Sequence, residues 1–416
     1  MSSVATRRRS EASVIAYLAF MGMLLAFGID ASLPAFDELR AAFGLEPESN
    51  QITFIITLYF VGTAVGQLLY GPISDRFGRQ PALHLGIAIY SIGAIGSIVA
   101  PNLGVLFVSR FVWGLGAAAP GVLRAAIARD LYEGNQMARI ISVMMGFFLM
   151  GPVLAPILGE AILRVGSWEW VFGVALILAA VLVVWSRWFG ETLDPELRRS
   201  IDVRATAQGF REVFRTRSTR RYTLTLTFGF GAFMVFLGSS QPIISEIYGR
   251  GDQFALWFGA AAFMMALFFF SVNRFIDRHG AHLVAVGSAG LALGFSVILL
   301  VAALLTDGVP PFAVWMVLIA LANGFTTLLT PTCYALGLEP MGDLAGTASA
   351  VMGFVSIAGG SALAAVIDAS IDGTVTPMAV GYVLYLGVAM LFLRGADPDP
   401  ARGDAVRSST APASPT

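Results

Sequence analysis

Lysine is missing from the 416 residues, so all 26 basic side chains are arginine. Without it no Gly-x-x-x-x-Gly-Lys-Ser/Thr phosphate loop can exist, which excludes ATP hydrolysis by that route. The single cysteine, Cys333, allows no disulfide within one chain. Three histidines (His84, His279 and His282) cannot build a metal centre at ligand spacing, so no metal is expected. Because both histidines of the second half, His279 and His282, fall near the predicted cytoplasmic face, "GSSQ" at 238–241 is no candidate serine nucleophile. Charge is scarce too: 13% of residues, against about 25% in soluble proteins.

Apolar residues are abundant, at 56% of the chain with a mean hydropathy of +0.76. A helix needs about 20 apolar residues to cross a bilayer. That window predicts twelve spans, at 14–34, 52–70, 81–100, 104–126, 140–163, 170–189, 222–246, 254–275, 282–304, 311–336, 345–367 and 376–394. Trp168 and Trp188 bracket span 6 at a separation of about 30 Å, the spacing of two interfacial aromatic belts. Arg7, Arg8 and Arg9 precede span 1 as they would a signal peptide, but the apolar run exceeds the roughly 7–15 residues of a cleavable one. It is read as an uncleaved first helix.

The arginines orient the chain. With the N-terminus inside, 21 of them fall on the inner side, nine of these from the end of span 6 to the start of span 7. Only Arg40, Arg164 and Arg250 fall outside, which predicts that both termini are cytoplasmic. Arg110 and Arg124 remain inside span 4. The net charge of −1 says nothing about nucleic acid, and no nucleic-acid partner is expected. The arginine-rich stretch 198–221, with Phe210, Val213 and Phe214 at helical spacing, is expected to form an interfacial helix on anionic lipid.

Short repeats divide the chain. "DRFG" at 75–78 returns as "DRHG" at 277–280, and "SVMMGF" at 142–147 as "SAVMGF" at 349–354. The offsets, 202 and 207 residues, are each close to half the length. The expected fold class is an all-α membrane protein of 12 transmembrane helices in two pseudo-symmetric six-helix bundles. Its parts are a cytoplasmic tail (1–13), the N-terminal bundle (14–189), a cytoplasmic linker (190–221), the C-terminal bundle (222–394) and a disordered cytoplasmic tail (395–416). Transporters built this way place the substrate site between the halves and rock around it.

Asp30 poses the chemical question. At 1.5 Å per residue it lies about 8 Å outward of the centre of span 1, and Arg110 lies at a similar depth in span 4. Each charge alone in hydrocarbon is costly, so both are expected to face a central cavity, near enough to sense each other. An outer-interface position for either residue stays open. Weaker cavity candidates are Tyr59, Gln67, Phe233, Phe236, Gln241 and Asn323, each equally readable as helix-packing polar or apolar contact.

The loop "GPISDRFGRQP" at 71–81 supplies Gly71, Asp75, Arg76, Gly78 and Arg79. Asp75 is expected at a neighbouring helix N-terminus and Arg79 beside Asp130, in contacts made in one of two rocking states. This stretch resembles the signature loop of the major facilitator superfamily, with Gln80 where a second basic residue is common. "RFVWGLGAAAPG" in span 4 is similar to that superfamily's Arg-x-x-x-Gly-x-Gly element, with Trp113 in place of a glutamine. "GFFLMGPVLAPILGE" in span 5 resembles its Gly-Pro antiporter motif, through Gly146, Gly151, Pro152, Pro156 and Gly159, with Glu160 replacing a second glycine. "IDASLP", "AIARDLYEG" and "AGTASAVMGF" together look like the bicyclomycin/chloramphenicol-resistance (Bcr/CflA) branch of drug:proton antiporters, Ala31-Ser32 departing from a tyrosine usual in the branch.

The resemblance implies a secondary transporter of the bacterial inner membrane that exports small, mostly apolar drugs in exchange for protons. Its energy source is the proton gradient, with no cofactor, its partners are substrate, protons and the lipid bilayer, and a monomer is expected. Asp30 would hold the proton, with Glu160 next in line. The alternatives are a proton-coupled symporter or exporter of a single metabolite and, less favoured, a non-transporting membrane receptor. No enzymatic activity is expected.

Overall fold

The computed structural model describes residues 10–47, 49–198 and 203–396. The Arg7–Arg9 cluster and the tail beyond residue 396 lie outside the described residues, as do Arg199 and residues 200–202 of the linker.

Among the described residues the regular structure is helical. The N-terminal half contains α1 (Glu11–Asp30), the short α2 (Phe36–Ala42), α3 (Phe54–Phe77), α4 (Arg79–Ile98) and α5 (Leu103–Leu131). It continues with α6 (Gly134–Leu149), α7 (Gly151–Leu163) and α8 (Trp168–Phe189). The linker helix α9 (Val203–Arg215) leads into α10 (Arg217–Pro242), α11 (Phe254–His279) and α12 (Ala281–Leu305). Then follow α13 (Phe312–Thr327), α14 (Leu329–Leu338), α15 (Ala345–Asp368) and α16 (Thr376–Arg394). Eleven helical runs are long and apolar enough to cross a membrane, and α7 is a shorter apolar helix.

The repeated loop motifs do the same backbone work twice. Gly78 ends α3 at φ 106°, and Gly280 ends α11 at φ 80°. Both are left-handed conformations that a side chain resists, so each glycine turns one spanning helix sharply into the next.

Span 5 is not one helix. It divides at Met150 into α6 and α7, because Pro152 lacks the backbone N–H that a continuous ladder would need. Expected span 10 likewise breaks at Leu328 into α13 and α14.

The linker helix corrects an expectation. Val213 is fully buried in an apolar cluster with Tyr222, Leu329 and Met352 of the C-terminal half. Phe210 packs edge-on against Phe354, at 5.8 Å between ring centroids. Only Phe214 stays exposed, so the apolar face meant for lipid is covered by protein.

The halves meet along a seam in which α3 faces α15 and α7 faces α11. The repeated "MGF" glycines both lie on it. A Cβ on Gly146 would meet Phe270 of the other half at 3.0 Å, and one on Gly353 would overlap the Gln67 amide. Each glycine lets its helix approach the opposite bundle closely, as small residues do in membranes.

Candidate functional site

Asp30 is the last residue of α1 and is 4% exposed. Among the described residues none hydrogen-bonds to its carboxylate or pairs with it ionically. Arg110 is buried as well, and among the described residues no hydrogen bond or ion pair joins it to Asp30. The Arg110 Nη1 donates to the Gly28 carbonyl at 2.9 Å, two residues short of Asp30. Its guanidinium lies over the rings of Trp113 and Phe172, with centroids at 4.9 and 4.6 Å.

The reason is helical. The last carbonyls of α1 have no partner further along the helix, and a cation at that end meets the negative pole of its dipole. Arg110 therefore caps α1 inside the N-terminal bundle, where aromatic faces accept its charge. Tyr59 stands close enough to interact electrostatically with both Arg110 and Asp30, while its hydroxyl donates to the Leu25 carbonyl at 3.2 Å.

The span 5 motif meets the same turn. A Cβ on Gly159 would overlap the Ala31 carbonyl oxygen, and one on Gly151 would come within 2.6 Å of the Ala26 Cβ. Two glycines thus seat α7 directly on the α1 end that carries Asp30. Pro152 and Pro156 keep α7 short of backbone hydrogen bonds, so this is a place where span 5 can bend. Inward of Asp30, α1, α7 and α8 enclose an apolar recess of about 100 Å³ lined by Phe20, Leu24, Phe27, Ala155 and Leu178 among others.

The inner loop forms a clasp within one half. Arg79 is buried, and its Nε and Nη2 donate to the two oxygens of Asp130 at 2.8 and 3.2 Å. Its Nη1 donates to Asp75 at 2.6 Å and to Ser74 at 2.8 Å. Asp75 therefore pairs with Arg79 instead of sitting at a helix N-terminus. That place belongs to Glu191, which accepts the N–H groups of Arg79 and Gln80 at the start of α4, at 2.9 and 3.1 Å. Arg76 is exposed over the Phe77 ring and Gly71 has open space around it. Every partner of the Arg79 side chain belongs to the N-terminal half.

Among the described residues the polar bridges between the halves lie at the end opposite the Arg79 clasp, the side that the arginine asymmetry predicts to be outer, where Gln241 was the one cavity candidate. Arg40, 1% exposed, is ion-paired to Asp37 of its own half and to Glu246 of the other. The Gln241 Nε2 reaches Asp37 at 3.5 Å, and the Asn50 Nδ2 donates to the Ile371 carbonyl at 2.7 Å. Outside this seam opens a polar recess of about 400 Å³, lined by Asp37, Glu38, Glu160, Arg164, Gln241 and Asp252 among others. Glu160 is held there by Arg164 at 2.6 Å.

The other candidates separate. Phe233 is half-buried against Phe230, which meets Phe60 across the seam at 5.8 Å. Phe236 stacks on Phe258 and Asn323 accepts from the Tyr382 hydroxyl at 2.9 Å, both inside the C-terminal bundle and away from the seam. Arg124 is half-buried in the inner part of α5. One buried acid was missed: Asp368, the last residue of α15, 2% exposed and hydrogen-bonded by Ser239. The sequence signal was a lone aspartate at the end of an apolar stretch, the signal that marked Asp30.

Two helical halves, each of six spans, facing one another across a seam bridged on its outer side, define a membrane transporter and not an enzyme. A family model described as Major Facilitator Superfamily matches residues 18–365, and the chain belongs to that superfamily. The "Bicyclomycin resistance protein homolog" of Haemophilus influenzae is 29% identical over 376 residues, covering 89% of this chain and 93% of that protein. The "Chloramphenicol resistance protein" of Pseudomonas aeruginosa is 29% identical over 299 residues, covering 70% of this chain and 69% of that one. These relatives support the bicyclomycin/chloramphenicol-resistance branch. Among solved structures, a D-xylose-proton symporter superposes with a TM-score of 0.73 at 17% identity, over 93% of this chain and 98% of that one, a likeness of fold.

Proposed function

We propose that this protein exports small, mostly apolar compounds, antibiotics among them, in exchange for protons, by rocking its two halves around a site between them. It acts in the bacterial inner membrane with both termini in the cytoplasm, and the proton gradient is its energy source, with no cofactor. The names of the two relatives support the cargo class. The observation that carries the exchange is Asp30, a buried carboxylate without a counter-ion at the end of α1, seated against Gly159 of the span 5 motif.

An isolated carboxylate in an apolar bundle is costly as an anion, and either a proton or a cationic or polar substrate relieves that cost. Proton and substrate then compete for one site, and linkage couples their movements. The bridged outer seam corresponds to a state closed to the outside. Parting of Arg40 from Glu246 would change the solvation around Asp30 and let a proton enter from that side. The span 5 bend at Met150–Pro152 supplies the flexible element next to it.

The test uses a bacterial host stripped of its own drug pumps, expressing wild type or Asp30→Asn at matched membrane levels. Accumulation of chloramphenicol, bicyclomycin and a lipophilic cation is measured with and without a protonophore. Lower accumulation in wild type, lost with the protonophore and in Asp30→Asn, is the expected result. Export that survives in Asp30→Asn overturns the role of Asp30, and no effect over a wide panel overturns multidrug export.

A further inference from the structure

We propose that Asp368, together with Ser239, is a second proton-binding site, located in the C-terminal half and loaded from the outer side when the seam parts. The proposal rests on the proton-exchange reading above and deepens it. Asp368 is built into its place: the Ser239 hydroxyl donates to Oδ1 at 2.5 Å, and the Gly238 backbone lies so close to Oδ2 that a Cβ would overlap it.

No counter-charge faces it among the described residues. From α10 come only Gly238 and Ser239, in a stretch without ionisable groups from 222 to the end of the helix except Tyr222. From α16 come Tyr382 and Tyr385, whose hydroxyls are spent on Asn323 and on the Leu363 carbonyl at 2.9 and 2.7 Å. From the neighbouring turn, Asn50–Thr53, nothing ionises.

The arrangement repeats that of Asp30. Each half holds one buried aspartate, each is the last residue of a helix running outward, and each meets the negative pole of its own helix. A single hydroxyl donor does not replace the water an anion loses on burial, so the neutral, protonated acid fits this pocket.

Both chain segments that make the pocket also bridge the halves. Two residues after Ser239, Gln241 reaches Asp37; three residues after Asp368, Ile371 accepts from Asn50 while its N–H points back to the Asp368 carbonyl at 3.5 Å. Opening the outer seam moves both walls of the pocket and admits water.

The experiment uses the full-length protein in proteoliposomes. Infrared difference spectra across a pH step are recorded for wild type, Asp30→Asn, Asp368→Asn and Ser239→Ala, and proton flux per substrate is measured for each. The protonated-carboxyl band is expected to fall by about half in Asp368→Asn, with a similar fall in protons exchanged per substrate. Ser239→Ala, which keeps the acid, is expected to displace the pH at which that part of the band changes. An unchanged band and unchanged exchange ratio in Asp368→Asn overturn the proposal, leaving Asp368 a hydrogen-bonded helix pin that asparagine replaces. Carboxyl bands at both sites with no proton-driven exchange in wild type would sink the antiport reading alone.

Discussion

Arg40 of the N-terminal half and Glu246 of the C-terminal half are joined by an ion pair that closes the outer side of the seam. Arg40 is almost wholly buried and also holds Asp37, while Glu246 is partly exposed. On the rocking proposed above, a pair across the interface exists in one state and not in the other, so its strength would set the population of the closed state.

Removing it should open the outer side. Loss of roughly 1–2 kcal/mol shifts the equilibrium about tenfold. A cysteine placed at Ser245, in the outer recess, reports this by its rate of labelling with a membrane-impermeant maleimide, since Cys333 is buried. Glu246→Gln should raise that rate about tenfold, and Glu246→Asp, which keeps the charge, should raise it much less. Equal rates in all three would show that other contacts keep the seam shut.

The Arg79 clasp calls for a different outcome. All its partners lie in one half, so breaking it should cost stability before it alters gating. Arg79→Lys keeps the charge but cannot span both Asp130 oxygens, Asp75 and Ser74 at once. The expected loss is about 2–4 kcal/mol, less than a full buried-pair break because Asp75 is half-exposed. It should appear as a lower thermal midpoint in detergent. Glu191→Ala, which removes the cap of α4, should cost about 1 kcal/mol.

What could be read in the sequence follows from how local each cause is. Hydropathy runs, the arginine asymmetry and the half-chain repeats are properties of contiguous residues, and they gave twelve spans, two halves and a resemblance that the family match sustains. Asp30 and Arg79–Asp130 were found because an isolated carboxylate and a fixed loop spacing are visible in one dimension. Matching depth put Arg110 near the Asp30 end of α1 but could not say which group it would bind; the free carbonyls at that end decided it. Glu191 and Glu246 escaped notice because each acts on a residue more than 100 positions away and in sequence looks like the ordinary acid of a loop, whereas Asp368 stood at the end of an apolar run, where its signal was overlooked.

Span 5 offers the sharpest steric test. Gly159 faces the Ala31 backbone, which cannot yield without moving the Asp30 turn, whereas Gly146 faces the tip of the Phe270 ring, which can rotate. Gly159→Ala should therefore abolish most transport, and Gly146→Ala should lower it only severalfold, at equal membrane levels. Initial efflux rates of a substrate found in the pump-deficient host separate the two; equal loss in both variants would mean that the whole motif, and not its contact with the Asp30 turn, sets the rate.

The linker helix gives the last prediction. Val213 is buried against the C-terminal bundle, and a charge there would have to be stripped of water or expelled. Val213→Asp should release α9 and let its backbone unfold around the exposed arginines at 204, 211 and 215, so that trypsin cuts there in inside-out vesicles. Cleavage between the halves should speed up at least tenfold, while Phe214→Asp, on the exposed side, should change it little. If α9 lay on lipid instead, the two variants would behave alike, and anionic lipid would protect the wild type. Because α9 leads through Thr216 into α10, whose far end bears Ser239 and Gln241, its release should also slow substrate exchange, linking the α9 dock to the Arg40–Glu246 seam through α10.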